Sequence, residues 1–160
     1  MTRPLSPFAI VLGLGGLIPF VAAGLGALTL GSDGALRSLL ALIAYGATIL
    51  AFLGGVHWGL ALQGGAEQTE RVSRARFGLG VVPSLVGWAG LLIAFIGLPH
   101  VGVAVLLAGF VGTVIVESRA NQAGLMPAGH MGLRWVLTAG AVLCLGCVLI
   151  ARLLGAQIIL

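Results

Sequence analysis

"ALRSLLALIAYGATILAFLGGVHWGLALQ", residues 35 to 63, contains a single formally charged side chain, Arg37, near its start. At 1.5 Å of rise per residue, about 20 helical residues cross the ~30 Å hydrocarbon layer of a bilayer, so this stretch is long enough to span one. Inside it, "FLGGVHWG", residues 52 to 59, sets His57 and Trp58 directly behind a glycine pair. A chain that avoids charge here nevertheless places an ionisable ring at membrane depth.

The rest of the sequence has the same solvent preference. Of 160 residues, 59% are hydrophobic and 8% charged, against roughly a quarter charged in soluble domains, and the mean hydropathy is +1.18. Apolar residues do not alternate with polar ones at period two, which excludes a transmembrane barrel with its polar lumen. The expected fold is an all-α bundle of five transmembrane helices in one domain, residues 1–160. The spans are read at about 6–30, 35–63, 75–98, 101–120 and 131–154. The first apolar stretch, at about 23 residues, exceeds the 7–15 of a signal-peptide core, so it is read as a span.

Arginine sets the orientation, because the chain has no lysine. With the N-terminus inside, Arg3, Arg71, Arg74, Arg76, Arg119 and Arg134 fall on the cytoplasmic side and Arg37 and Arg152 opposite, so an N-in, C-out arrangement is expected. The net charge of +4 reflects that asymmetry. Its densest basic run, "RVSRAR", carries no interleaved aromatics, and no nucleic-acid partner is expected. Cys144 and Cys147 form a CxxC inside "VLCLGCVLI". At hydrocarbon depth they lack the polar setting of a thiolate or a metal ligand and read as small apolar fillers.

Glycine, at 27 residues, is the next signal. In lipid no hydrophobic effect draws helices together, so small residues that permit close backbone approach supply the packing. Ala47, Ala51, Gly55 and Gly59 recur every four residues and are expected to form a tight packing stripe on the second span. His57 lies about 200° from Gly55 on the same helix, with Gly54 beneath it leaving room for a side chain or ligand.

His57 sits roughly 9 Å in from the end of its span by helical rise. There an ionisable group tends to face the protein interior and is a functional candidate by default. Equally, a neutral histidine can hydrogen-bond a neighbouring helix, and Trp58 beside it can serve as an interfacial anchor. Other spans offer polar partners at similar depth: Thr113, Glu117 and Asn121 on the fourth, Arg76, Gly80 and Ser84 on the third, and Arg134 and Thr138 on the fifth. A candidate polar pocket therefore comprises His57, Glu117, Arg76, Arg134, Ser84 and Thr113, with Glu117 neutralised by Arg76 or Arg134. The alternative for Glu117 is a local pair with a loop arginine at the headgroups. Pro83 is expected to kink the third span. In the loop "GGAEQTERVSRARFG", Glu67 with Arg71 and Glu70 with Arg74 suggest a short surface helix. His57 and His130 share one side, as a haem would require, but nothing else points to one, and neither a cofactor nor a metal site is expected.

The segments "YGATILAFLGGVHWG", "RFGLGVVPSLVGW" and "GLMPAGHMGLRWVLT" resemble the signature segments of a family of small bacterial inner-membrane proteins of unknown function that has mitochondrial transmembrane relatives. The resemblance is carried chiefly by GGVHWG. It implies a multi-span protein of the inner membrane and supplies no reaction. Family members carry an acidic residue near the end of the fourth span and a "P-x-W-Y" ahead of an arginine in the fifth. Glu117 and Arg134 stand at those places, and the chain reads "PAGHM" where the aromatic pair would be.

Two function classes follow. One is an accessory or assembly factor of a membrane protein complex, with the bilayer and other inner-membrane proteins as partners. The other is a small carrier or enzyme handling a proton, quinone or lipid headgroup at a cytoplasmic-side pocket around His57 and Glu117. No nucleophile with its base and no phosphate-binding loop is present, which argues against conventional enzymes.

Overall fold

The structure, a computed structural model, describes residues 6–63, 70–122 and 130–154. Every element among them is a helix: α1 (Pro7–Gly15), α2 (Ile18–Thr29), α3 (Ser32–Gln63), α4 (Glu70–Phe95), α5 (Pro99–Gln122) and α6 (His130–Leu153). Taking α1 and α2 as one crossing, five helices among the described residues are long and apolar enough to span a membrane. Arg3, Glu67 and the side chains of Arg71 and His130 lie outside the described residues.

The first span, expected as one helix, is interrupted between α1 and α2. Pro19 has no N–H to give the carbonyl of Gly15, so the α ladder cannot run through. The chain tightens instead, with Leu17 N–H donating to the Leu14 carbonyl at 3.0 Å before Val21 N–H to Leu17 resumes the regular pattern. The turn from α4 to α5 is set as locally. Gly97 adopts φ +92°, Gly97 N–H bonds the Ala94 carbonyl and Leu98 N–H the Ile93 carbonyl, and Pro99 opens α5. That pattern is a Schellman stop followed by a proline start, which "GLPH" encodes directly. α4 continues through Pro83 from Glu70 to Phe95.

The chain divides into two compact units, Met1–Leu42 with Phe110–Leu160, and Ile43–Gly109. In the first, α1 and α2 lie along α6. A methyl group at Gly13 would sit 3.2 Å from Leu137, one at Gly140 2.8 Å from Leu17, and one at Gly24 3.8 Å from Val148. These contacts advance together along both segments, so the first and last spans run parallel, as an odd number of alternating crossings requires. Arg152, in the last turn of α6, donates to the Ala27 carbonyl near the end of α2 at 3.4 Å, placing a cation where helix-end carbonyls gather. Phe20 meets Phe110 edge to face, with centroids 5.8 Å apart. Cys144 and Cys147 are both free thiols.

In the second unit, α3 and α4 pack antiparallel at very close range. The position a Cβ would take on Gly54 is filled by the carbonyl oxygen of Gly80, and one on Gly80 would meet both the Trp58 ring and, at 2.9 Å, the Gly54 carbonyl. Seven residues along, in opposite chain directions, a Cβ on Gly87 would lie 2.9 Å from the Ala47 carbonyl oxygen. Reciprocal glycine and carbonyl contacts of this kind bring Cα–H groups onto carbonyls and are favourable at helix interfaces. A further seven residues on, Ala94 meets α5 at Gly102, whose own Cβ position lies 2.5 Å from the Gly90 carbonyl.

The tight seam therefore differs from the expected stripe. Of Ala47, Ala51, Gly55 and Gly59, Ala47 lies in it, whereas Ala51 and Gly55 are exposed and a Cβ on Gly55 or Gly59 would meet nothing within 4 Å. The cause is helical phase. Each four-residue step overshoots a full circle by about 40°, so Gly59 ends roughly 120° from Ala47, while a seven-residue step to Gly54 misses by only about 20°. The space beneath His57 at Gly54 is likewise occupied by the backbone of α4.

Gly54→Ala and Gly80→Ala should each cost about 1–3 kcal/mol of stability through overpacking, while Gly55→Ala should leave it unchanged. Thermal unfolding of the three variants in detergent checks this. Equal loss at Gly54 and Gly55 would show that the seam is misplaced.

Candidate functional site

The residue-type logic of a membrane interior makes each buried polar group an accounting problem, because there is no water to satisfy it. Among the described residues four polar or charged side chains stand out as buried: His57, Glu117, Arg134 and Thr138.

Glu117 and Arg134 meet directly. On α5 the buried row runs Val103, Leu106, Phe110, Val114 and Glu117, and on α6 it runs Arg134, Thr138, Ala141, Leu145 and Val148. Both follow three- and four-residue steps, so each polar residue is the continuation of an apolar core stripe. Because α5 and α6 are consecutive and antiparallel, the end of one stripe faces the start of the other. Arg134 Nε donates to Glu117 Oε2 at 2.5 Å, with both side chains about 5% exposed or less. The pair is neutral as a whole, which is how two charges are tolerated at this depth. Thr113 stands one turn before Glu117 and is half-buried; Asn121, one turn after it, is exposed. Ser118 donates to the Val114 carbonyl.

His57, Arg76 and Ser84 belong to the second unit. His57 continues the buried row of α3 through Leu50, Leu53 and Gly54 toward Ala61, and is 3% exposed. Its orientation follows from phase, since it lies one turn beyond Gly54 on the face that meets α4. Ser84 Oγ lies 3.2 Å from the Cβ position of Gly54. Arg76 Nη1 donates to the Leu60 carbonyl at 3.0 Å, and Leu60 is among the last four residues of α3, whose carbonyls have no partner within their own helix. Arg76 thus caps α3. Trp58 adds a second latch: its indole Nε1 donates to the Phe77 carbonyl at 3.2 Å, and its ring meets Phe77 edge to face, with centroids 5.2 Å apart. The outer edge of that ring remains exposed, as suits an aromatic near a membrane interface.

Further from the interior, Glu70 and Arg74 form the expected surface pair at 2.6 Å, both well exposed; such a pair contributes little. The expected short surface helix there is the first part of α4 itself. His100 is exposed. No group of three metal-ligating side chains occurs among the described residues.

The contribution that sequence reading passed over is the Gly54, Trp58, Phe77 and Gly80 contact. A signal for it exists in small residues repeating every seven positions, Ala47, Gly54 and Ala61 on α3 and Gly80, Gly87 and Ala94 on α4. Four-residue spacing drew attention to the neighbouring row instead.

Replacing Glu117 by Leu should destabilise the protein by about 3–5 kcal/mol, because Arg134 is left buried and uncompensated, whereas Glu117→Leu combined with Arg134→Met should recover most of the loss. A double-mutant cycle on thermal stability in detergent measures the coupling, and additive single losses would rule out the pair as the reason for their burial.

Comparison with known proteins adds the family. Residues 5–150 match the family described as "Protein of unknown function (DUF3429)". Transmembrane protein 69 of Xenopus tropicalis is 40% identical over 86 residues, which cover 52% of this chain and 32% of that protein. The chain thus spans about a third of the length of the curated relative it matches. No solved structure matches it. The match covers nearly the whole chain, including the α3 seam and the Glu117 and Arg134 pair, and this multi-span membrane protein belongs to the DUF3429 family.

Proposed function

We propose that this protein is an accessory or assembly factor of a membrane protein complex, lying N-in, C-out in the bacterial inner membrane. The observation that carries the reading is the outward row on α3. Ala51, Gly55 and Gly59 lie on one side of the helix, Gly55 and Gly59 with open space where a Cβ would project, and Phe52 and Leu62, bulky and exposed, flank them. In lipid, a shallow groove of small residues edged by large ones offers close backbone approach to a helix from another chain. The orientation is supported by the order of the spans along the chain, whose alternation assigns Arg74, Arg76, Arg119 and Arg134 to one side and Arg37 and Arg152 to the other.

A second reading, the polar pocket expected from the sequence, is favoured by the burial of His57 in one unit and of Glu117 in the other: a small carrier or enzyme handling a proton, quinone or lipid headgroup. Intramembrane ionisable residues mark such pathways in other proteins.

Gly55→Leu separates the two. It should leave thermal stability and the Glu117 and Arg134 pair untouched while removing the protein that co-purifies with wild type in mild detergent, and His57→Phe should not. Loss of the partner with His57→Phe alone would favour the pocket reading. A reporter inserted at Glu70 should read cytoplasmic and one fused after Leu160 periplasmic; the reverse would overturn the orientation.

A further inference from the structure

The polar start of the α6 core stripe is incompletely satisfied by the described residues. Arg134 spends Nε on Glu117, yet Arg134 Nη2 and Thr138 Oγ1, both buried, have no hydrogen-bond partner among them. For the hydroxyl this is a departure from local habit. Thr29, Thr48 and Ser118 each donate to the carbonyl four residues back, at 2.8, 2.9 and 2.7 Å, a fallback that needs no neighbouring helix. Thr138 does not use it. An unmet N–H and an unmet O–H in hydrocarbon are costly, and here they occur one helical turn apart on the same face, with Cβ atoms about 5–6 Å from each other.

Two donors so placed suit one acceptor oxygen with two lone pairs, which is what a carbonyl offers. The charge balance selects its kind. Glu117 already pairs with Arg134, so a carboxylate or phosphate here would set a second negative charge beside a carboxylate in a low-dielectric interior. A neutral acceptor adds none. We propose that Arg134 Nη2 and Thr138 Oγ1 form an intramembrane site for the carbonyl oxygen of a neutral molecule dissolved in the bilayer, either a quinone or the ester carbonyl of an uncharged lipid. Neither donor atom is exposed at the surface of the described residues. The site uses α5 and α6 and does not depend on the outward groove of α3 or on His57.

The test is thermal unfolding of the detergent-purified full chain with three probes: a short-chain benzoquinone, a diacylglycerol, and dodecyl phosphate as the anion. The quinone or the diacylglycerol should raise the midpoint by about 3–6 °C at roughly ten times its Kd, and whichever does so identifies the source. Thr138→Val should abolish the shift while its probe-free midpoint stays equal to or above wild type, as expected when an unpaired buried hydroxyl is removed. Thr138→Ser, which restores the hydroxyl, should regain the shift. The proposal is overturned if neither carbonyl probe shifts the wild type, if Thr138→Val shifts equally, if dodecyl phosphate shifts it more, or if probe-free Thr138→Val is destabilised, since the hydroxyl would then already be paired.

Discussion

Between α3 and α4, two backbones approach until each glycine's absent side chain is replaced by the other helix's carbonyl oxygen, Gly54 against Gly80. The arrangement of the second unit depends on that contact. Lipid supplies no hydrophobic drive for helix association, so the stabilisation must come from dispersion and weak Cα–H to carbonyl contacts, both of which fall away within fractions of an ångström. Once Gly54 and Gly80 fix the separation and register, the rest follows geometrically. Ala47 meets Gly87, the Trp58 indole reaches the Phe77 carbonyl, and Arg76 reaches the exposed carbonyl of Leu60. His57 is buried because it shares the face that this contact turns inward.

The first unit solves a different problem, that of charge. Glu117 and Arg134 would each be expensive alone in hydrocarbon, and together they form a neutral pair. Each stands at the end of an apolar stripe on its own helix, so the ion pair joins the polar ends of two such stripes. The pair orders one face of the guanidinium and leaves another donor and the Thr138 hydroxyl to the surroundings. A purely structural pair would be cheaper with every donor met.

These two sites also show where sequence reading succeeds and where it stops. The coupling of Glu117 to an arginine followed from the cost of burying a lone carboxylate, and Arg76 and Arg134 were equal candidates by depth. The structure pairs Glu117 with Arg134, and within its own unit Arg76 also donates to a carbonyl at the end of α3. The small-residue row was legible as composition but not as direction: Gly54 and Gly55 are adjacent in "FLGGVHWG", one packed onto the Gly80 carbonyl and the other open.

What the sequence by itself determined is everything that depends on one dimension. Hydropathy and length specify five crossings, "GLPH" specifies a helix stop and restart, and proline chemistry accounts for the break at Gly15 once Pro19 is seen. Tertiary structure decided which side of each helix faces protein. In water, amphipathic periodicity would have announced that face, because the exterior must be polar. In a bilayer the exterior is as apolar as the core, so Phe52 and Leu50 look alike in sequence, though one is exposed and the other fully buried. Only the packing of actual backbones distinguishes them.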